Sequence, residues 1–218
     1  MPKPALCYAS LAWADLDRAR ALFADLRRFH PGWRYVAAVA GIPVGAVLPD
    51  DIEVVASPRG AFMDAACREA SAELVIHIDP RAVVSEPLTE LLGALAGADI
   101  LLLARFNQPG QDRQAVLDLD LHIARTGTFN IGLLAVRTTG EGPAFAAWWE
   151  DRVANYPDDI APPGYADQRW CDLAPGLFGR VAIVRQAPPG LVLPLDRDYG
   201  SAFSAAAATA SAVMPNSA

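Results

Sequence analysis

The sequence predicts an α/β fold, an αβα sandwich whose central sheet is mixed but mainly parallel. Three observations carry this. Apolar runs of four to eight residues recur at 34–39, Leu74–Ile78, 100–103 and 129–136, the length and composition of strands buried on both faces. Segments with helical spacing lie between them, and the two kinds alternate along the chain. With 218 residues and 53% apolar composition, there is material for one continuous core.

Residues 5–10 read as the first strand. Asp15 is placed to cap a helix whose Leu16, Ala19, Leu22, Phe23, Leu26 and Phe29 fall on one face, and His30-Pro31-Gly32 stops it. Residues 34–39 form the second strand, 41–45 a loop punctuated by Gly and Pro, and 52–55 a short third strand. Residues 62–71 have helical composition, Leu74–Ile78 is a strand, and 87–96 is a helix opened by proline. After the strand at 100–103, residues 105–128 show no sustained period and read as a loop or lid. The strand at 129–136 is followed by a helix at 143–156 carrying Phe145, Trp148, Trp149 and Val153. A short helix at 165–173 follows the Pro162-Pro163-Gly164 break, with closing strands at Val181–Val184 and 191–195. We expect one domain over residues 1–200 and an uncharged Ala/Ser-rich flexible tail over 201–218.

A net charge of -7 argues against generic nucleic-acid binding, which needs clustered cations to displace counterions. Lys3 is the only lysine, so an anion site inside the fold must use arginine, backbone amides or a metal. Cys7, Cys67 and Cys171 have neither disulfide nor zinc spacing. No apolar run is long enough for a transmembrane segment, and the start lacks a signal-peptide pattern, so a cytoplasmic location is expected.

Ligands of such sheets gather beyond the carboxyl ends of strands, and Asp79 stands at one, its direction restricted by Pro80. Arg81 follows, a cation suited to phosphate oxygens. Asn130 and Gly132 open a later strand. The amide suits sugar hydroxyls or a bend in its own backbone, and the glycine permits close approach. Asp167 and Gln168 begin a short helix, where an acid also serves as a cap. The tryptophans at 148 and 149 fit packing. His30, His77 and His122 are scattered, and a buried, satisfied histidine is the simplest reading of His77. A Gly-rich phosphate loop and a serine nucleophile elbow are both absent.

In order, His77-Ile-Asp79-Pro-Arg81, Pro87-Leu-Thr-Glu-Leu-Leu, Phe129-Asn130-Ile-Gly132, Trp148-Trp149 and Asp167-Gln168-Arg-Trp170 resemble bacterial GT-A glycosyltransferases of the glycogenin-like, family 8-like kind. The resemblance spans roughly residues 5–195. It implies a Rossmann-like GT-A domain, a nucleotide-diphospho-sugar donor and transfer of the sugar to an acceptor. It further implies Ser10, Asp79, Arg81, Asn130 and Gly132 as donor-binding residues, and Asp167 and Gln168 as the catalytic pair. The family holds Mn2+ or Mg2+ at an Asp-x-Asp motif. Here Arg81 replaces the second acid, no histidine follows Asp167, and the late segment 188–194 is apolar. We therefore assign no metal, with Asp79 as its one candidate ligand. Two functions stay open: a metal-independent transferase in which Arg81 assists the leaving diphosphate, and a catalytically silent GT-A-fold binding or partner module.

Overall fold

The computed structural model describes residues 5–57, 62–69, 72–106, 108–156, 160–161 and 165–194. The expected tail at 201–218, the 162–164 break and the last residue of the 191–195 strand lie outside the described residues, so the domain boundary at 200 does too.

Seven strands form the main sheet in the order β3-β2-β1-β4-β7-β6-β8. They are β1 (Leu6–Ala12), β2 (Arg34–Ala40), β3 (Glu53–Ala56), β4 (Leu74–Ile78), β6 (Ile100–Ala104), β7 (Phe129–Arg137) and β8 (Val181–Val184). All neighbours are parallel except at β7, which runs against both β4 and β6. The chain leaves β1 toward β2 and β3, then returns to place β4 on the other side. That change of direction is the crevice-forming point of an open α/β sheet.

Alternate residues of each strand supply two cores, as the period of two requires. Cys7, Ala9, Tyr35, Ala37, Ile76, Ile78, Leu101 and Leu103 face α1 (Leu16–Phe29) and α3 (Thr89–Gly93), where the predicted α1 stripe Leu16, Ala19, Leu22, Phe23 and Leu26 is buried. Leu6, Tyr8, Val36, Ala38, Val75, Leu134 and Val136 face α2 (Met63–Arg68), α6 (Gly142–Asn155), α7 (Ala166–Cys171) and α8 (Ala174–Leu177). Trp149 is buried in this second core, in the packing role read from its spacing.

Several expectations are corrected. Asp15 makes no side-chain cap; a 3-10 turn at Trp13–Asp15 leads into α1, and its carboxylate pairs with Arg18 instead. The helix expected at 87–96 shortens to α3 followed by a 3-10 turn at Ala94–Gly97, consistent with glycines at 93 and 97. The segment read as a structureless lid is mostly helical: α4 (Arg113–Ala115), a π turn at Val116–Asp120, then α5 (Leu121–Thr126). The last strand does not close the main sheet. Leu191–Val192 (β9) pairs antiparallel with Val83–Val84 (β5) in a separate ribbon.

α2 carries no side-chain cap of its own. The Glu150 carboxylate on α6 takes the Met63 backbone N–H at its first turn. Burial pushes Glu150 up to about 7, with Asp64 adding repulsion and the backbone donors and Arg68 opposing. The folded value exceeds the unfolded one of 4.5, so the native state holds the extra proton between them and stability falls as pH rises through about 7. Glu150→Gln keeps an acceptor without the charge. Urea unfolding at pH 5 and pH 8 is expected to move the stability difference in the variant's favour by ~1 kcal/mol, discounted for partial exposure. Parallel pH profiles would contradict it.

Candidate functional site

Because β7 is reversed, its first residues lie at the same edge as the carboxyl ends of β4 and β6. The Asp79 N–H donates to the Gly132 carbonyl at 2.8 Å, extending the β4–β7 ladder one residue beyond Ile78. On the other flank β1 pairs with β4 from Leu6 opposite Val75 to Tyr8 opposite His77, and Ser10 lies two residues further along β1. Asp79 and Gly132 thus face each other where β4 ends and β7 begins.

β7 is irregular there. Leu102 of β6 pairs with Leu134 and Ala104 with Phe129, so two steps along β6 match five along β7, and Asn130, Ile131 and Gly132 are displaced from that ladder. A bulge of this kind re-aims the residues it contains. Asn130 closes it: its Oδ1 accepts the Gly132 N–H at 2.9 Å, and its Nδ2 donates to the Pro194 carbonyl at 3.3 Å. The space that Gly132 leaves is filled from within. A Cβ there would stand 2.8 Å from Asn130 Oδ1, 3.5 Å from Asp79 Cβ and 3.7 Å from Leu193 Cδ2. Asn130 is buried, and its amide satisfies backbone groups, the second of the two roles its sequence suggested.

Arg81 folds back onto Asp79. Nε lies 2.9 Å from Oδ1 and Nη2 2.7 Å from Oδ2, a two-pronged pair, while the Arg81 N–H donates to Oδ1 at 2.8 Å. The turn Asp79-Pro80-Arg81-Ala82, closed by the Ala82 N–H on the Asp79 carbonyl at 2.9 Å, brings both side chains to one side. Burial opposes ionisation of Asp79, but hydrogen bonds from the Arg81 side chain and backbone outweigh it and hold the carboxyl below its usual value. Asp79 is the more enclosed, at 15% side-chain exposure against 33% for Arg81.

This arrangement does not fit a divalent cation. Both Asp79 oxygens are engaged by the guanidinium, and no group of three or more His, Cys, Asp or Glu among the described residues is placed to hold a metal.

Asp167 and Gln168 lie half-buried in the first turn of α7. Trp149 Nε1 donates to the Asp167 carbonyl at 2.9 Å, fixing the turn, and Asp167 Oδ1 accepts the Gln168 N–H at 2.8 Å. α7 meets the start of β7 through Gly127 (φ +108°), where a Cβ would stand 2.9 Å from the Gln168 carbonyl carbon. Thr128 donates both its N–H (2.8 Å) and its hydroxyl (2.6 Å) to Asp172 Oδ1. The structure therefore joins the Asp79 and Asn130 clusters directly, and seats Asp167-Gln168 against the residues that lead into them.

One cluster at this edge centres on Arg105, a cation that the sequence offers for phosphates without revealing whether it points inward. Arg105, at the end of β6, is buried; its Nη1 donates to Thr126 Oγ1 at 2.7 Å and the Gly127 carbonyl at 2.9 Å, with Nη2 3.4 Å from His122 Nε2. The His122 ring meets the Tyr165 ring edge-on at 5.9 Å. These contacts tie the helical 113–126 segment to the mouth of β7 and to the start of α7. The charge of Arg105 directly after the apolar run is the sequence signal for the cluster, and that signal does not say what it contacts.

No protein-family model and no curated protein matches the sequence. Solved structures do. The glycosyltransferase GlyE of Streptococcus pneumoniae TIGR4 superposes with a TM-score of 0.53 at 14% identity, over 84% of this chain and 45% of GlyE. The galactosyltransferase LgtC, solved with donor and acceptor sugar analogues, gives 0.50 at 18% identity, over 82% of this chain and 72% of LgtC. The chain therefore spans less than half the length of GlyE. At these identities the likeness establishes the fold, that of GT-A glycosyltransferases. Among the described residues, no helix is long and apolar enough to cross a membrane.

Two glycines hold this edge together, and their replacement tests the geometry. Gly132→Ala forces a Cβ against Asn130 Oδ1, and Gly127→Ala adds strain at positive φ to a clash with α7. Each is expected to lower stability by about 2 kcal/mol in urea unfolding. Gly176→Ala, with nothing within 4 Å of the added carbon, is the control and is expected to be near neutral. Equal effects at all three positions would contradict the packing described.

Proposed function

We propose that the chain is a glycosyltransferase that moves a sugar from a nucleotide-diphospho-sugar to an acceptor hydroxyl without a metal ion. The observation that carries this reading is the Asp79–Arg81 pair at the switch point of a GT-A sheet: a cation fixed by a carboxylate where the leaving diphosphate needs positive charge. The bond from the anomeric carbon to the diphosphate oxygen breaks, and its electron pair stays on the diphosphate. The acceptor oxygen forms the new bond to that carbon and releases its proton.

In this reading each residue has a part. Arg81, the more exposed member of its pair, carries charge at the rim and neutralises the phosphate oxygens, while Asp79 orients the guanidinium. Asn130 and Gly132 shape the bulge beside it. Ser10 supplies a hydroxyl from β1 for the nucleoside. Asp167 stands as the carboxylate near the reacting carbon, with Gln168 as a neutral donor beside it. The acceptor's chemistry has no assignment.

A second reading has its own support. The functional groups of Asp79 and Asn130, and the Arg81 fork, are all engaged by internal hydrogen bonds. That pattern suits a silent module that keeps the fold for binding. Calorimetric titration with UDP, GDP and their sugars, with and without Mn2+, separates the two, followed by an assay of donor hydrolysis. The transferase reading expects binding that is indifferent to Mn2+, weakens at least tenfold in Arg81→Ala, and is accompanied by slow donor hydrolysis. Binding without hydrolysis favours the silent module. Hydrolysis that requires Mn2+ would overturn the role given to Arg81.

A further inference from the structure

We infer that His77 is a positioning residue for the donor site: its ring N–H holds the β7 bulge in the shape that aligns Gly132 with Asp79. The inference rests on the donor-site reading above for its functional consequence, but not for its structural one.

His77 lies on β4, two residues before Asp79, and is buried. Its Nδ1 is 2.9 Å from the carbonyl oxygen of Ile131. A carbonyl only accepts, so Nδ1 carries the proton in this contact. Ile131 is the middle residue of the segment displaced from the β6 ladder. Three backbone groups of that segment are met by three separate partners. Asn130 Oδ1 takes the Gly132 N–H, Asp79 supplies its N–H to the Gly132 carbonyl, and His77 supplies its ring N–H to the Ile131 carbonyl. Two of the three come from β4, at positions 77 and 79, so the bulge is set by one side chain and one main-chain group of the same strand. The ring is held in turn by Tyr8, whose fully buried ring lies 5.1 Å away on β1.

The alternative is a histidine that merely fills the second core. The two roles separate by atom. His77→Asn keeps a donor near the Nδ1 position, His77→Gln moves the donor outward toward the Nε2 position, and His77→Leu keeps apolar volume without any donor. A filling role ranks Leu with the wild type; a positioning role ranks Asn with it.

The experiment pairs two measurements on the full chain. Residue-resolved amide hydrogen exchange reads the Gly132 and Asp79 N–H groups against Cys7 and Ala37 in the β1–β2 ladder as an internal control, and calorimetry reads the dissociation constant for UDP. In His77→Leu and His77→Gln, exchange at Gly132 and Asp79 is expected to accelerate at least tenfold while Cys7 and Ala37 keep their rates. UDP affinity is expected to fall about tenfold, the scale of one hydrogen bond whose acceptor is left unmet. His77→Asn is expected to stay within about threefold of wild type in both. Unchanged exchange at Gly132 and Asp79 in His77→Leu, or equal acceleration there and in the β1–β2 control, overturns the inference. A wild type that binds no UDP defeats the donor-site reading alone, and the exchange arm still decides what His77 does.

Discussion

One reversed strand organises this edge of the molecule. β7 enters the sheet against the direction of both its neighbours, which puts the amino end of β7 between the carboxyl ends of β4 and β6. In a wholly parallel sheet Asn130 and Gly132 would lie at the far edge from Asp79. The reversal also explains the bulge. A strand that must meet Asp79 on one side and Ala104 on the other, with unequal spacing, sheds three residues from one ladder, and their polar groups then need side chains to satisfy them.

The second constraint is charge. Asp79 and Arg81 are two residues apart, and the Asx-type turn between them folds one onto the other in a two-pronged pair. A partly buried carboxylate is costly without a partner, and the guanidinium meets that cost. The pair carries no net charge. What it offers is orientation: the guanidinium is fixed before any ligand arrives. The Arg105 cluster sits on the other side of β7 and ties the helical 113–126 segment to the same mouth, so this edge is bounded by two arginines with different internal partners.

The inner strands of the main sheet were legible because burial on both faces demands continuous apolar runs, and α1 because its stripe keeps helical spacing from Leu16 to Leu26. The helical part of 105–128 was not. Its π turn at Val116–Asp120 breaks the 3.6 period, and Val116, Leu117 and Leu121 are exposed, so no apolar stripe marks it. β5 holds two residues, too few for any pattern, whereas the strand expected at 191–195 is present as β9 and differs only in pairing with β5 and not with the main sheet. At the site, the residues themselves were visible, and Asn130 was already seen to suit either a ligand or its own bend. Their pairing was not: whether Arg81 reaches outward or back onto Asp79 depends on the turn at Pro80. The contacts of Arg105 with Thr126 and His122 join residues separated by a whole helical segment that sequence reading had treated as loop.

A crystal structure of the chain grown with UDP and Mn2+ tests the central proposal most directly. The account predicts Arg81 within hydrogen-bond distance of a diphosphate oxygen, Asp79 still on its guanidinium, and no metal bridging protein to nucleotide. A manganese ion seated between Asp79 and the diphosphate, with Arg81 swung away, would contradict it.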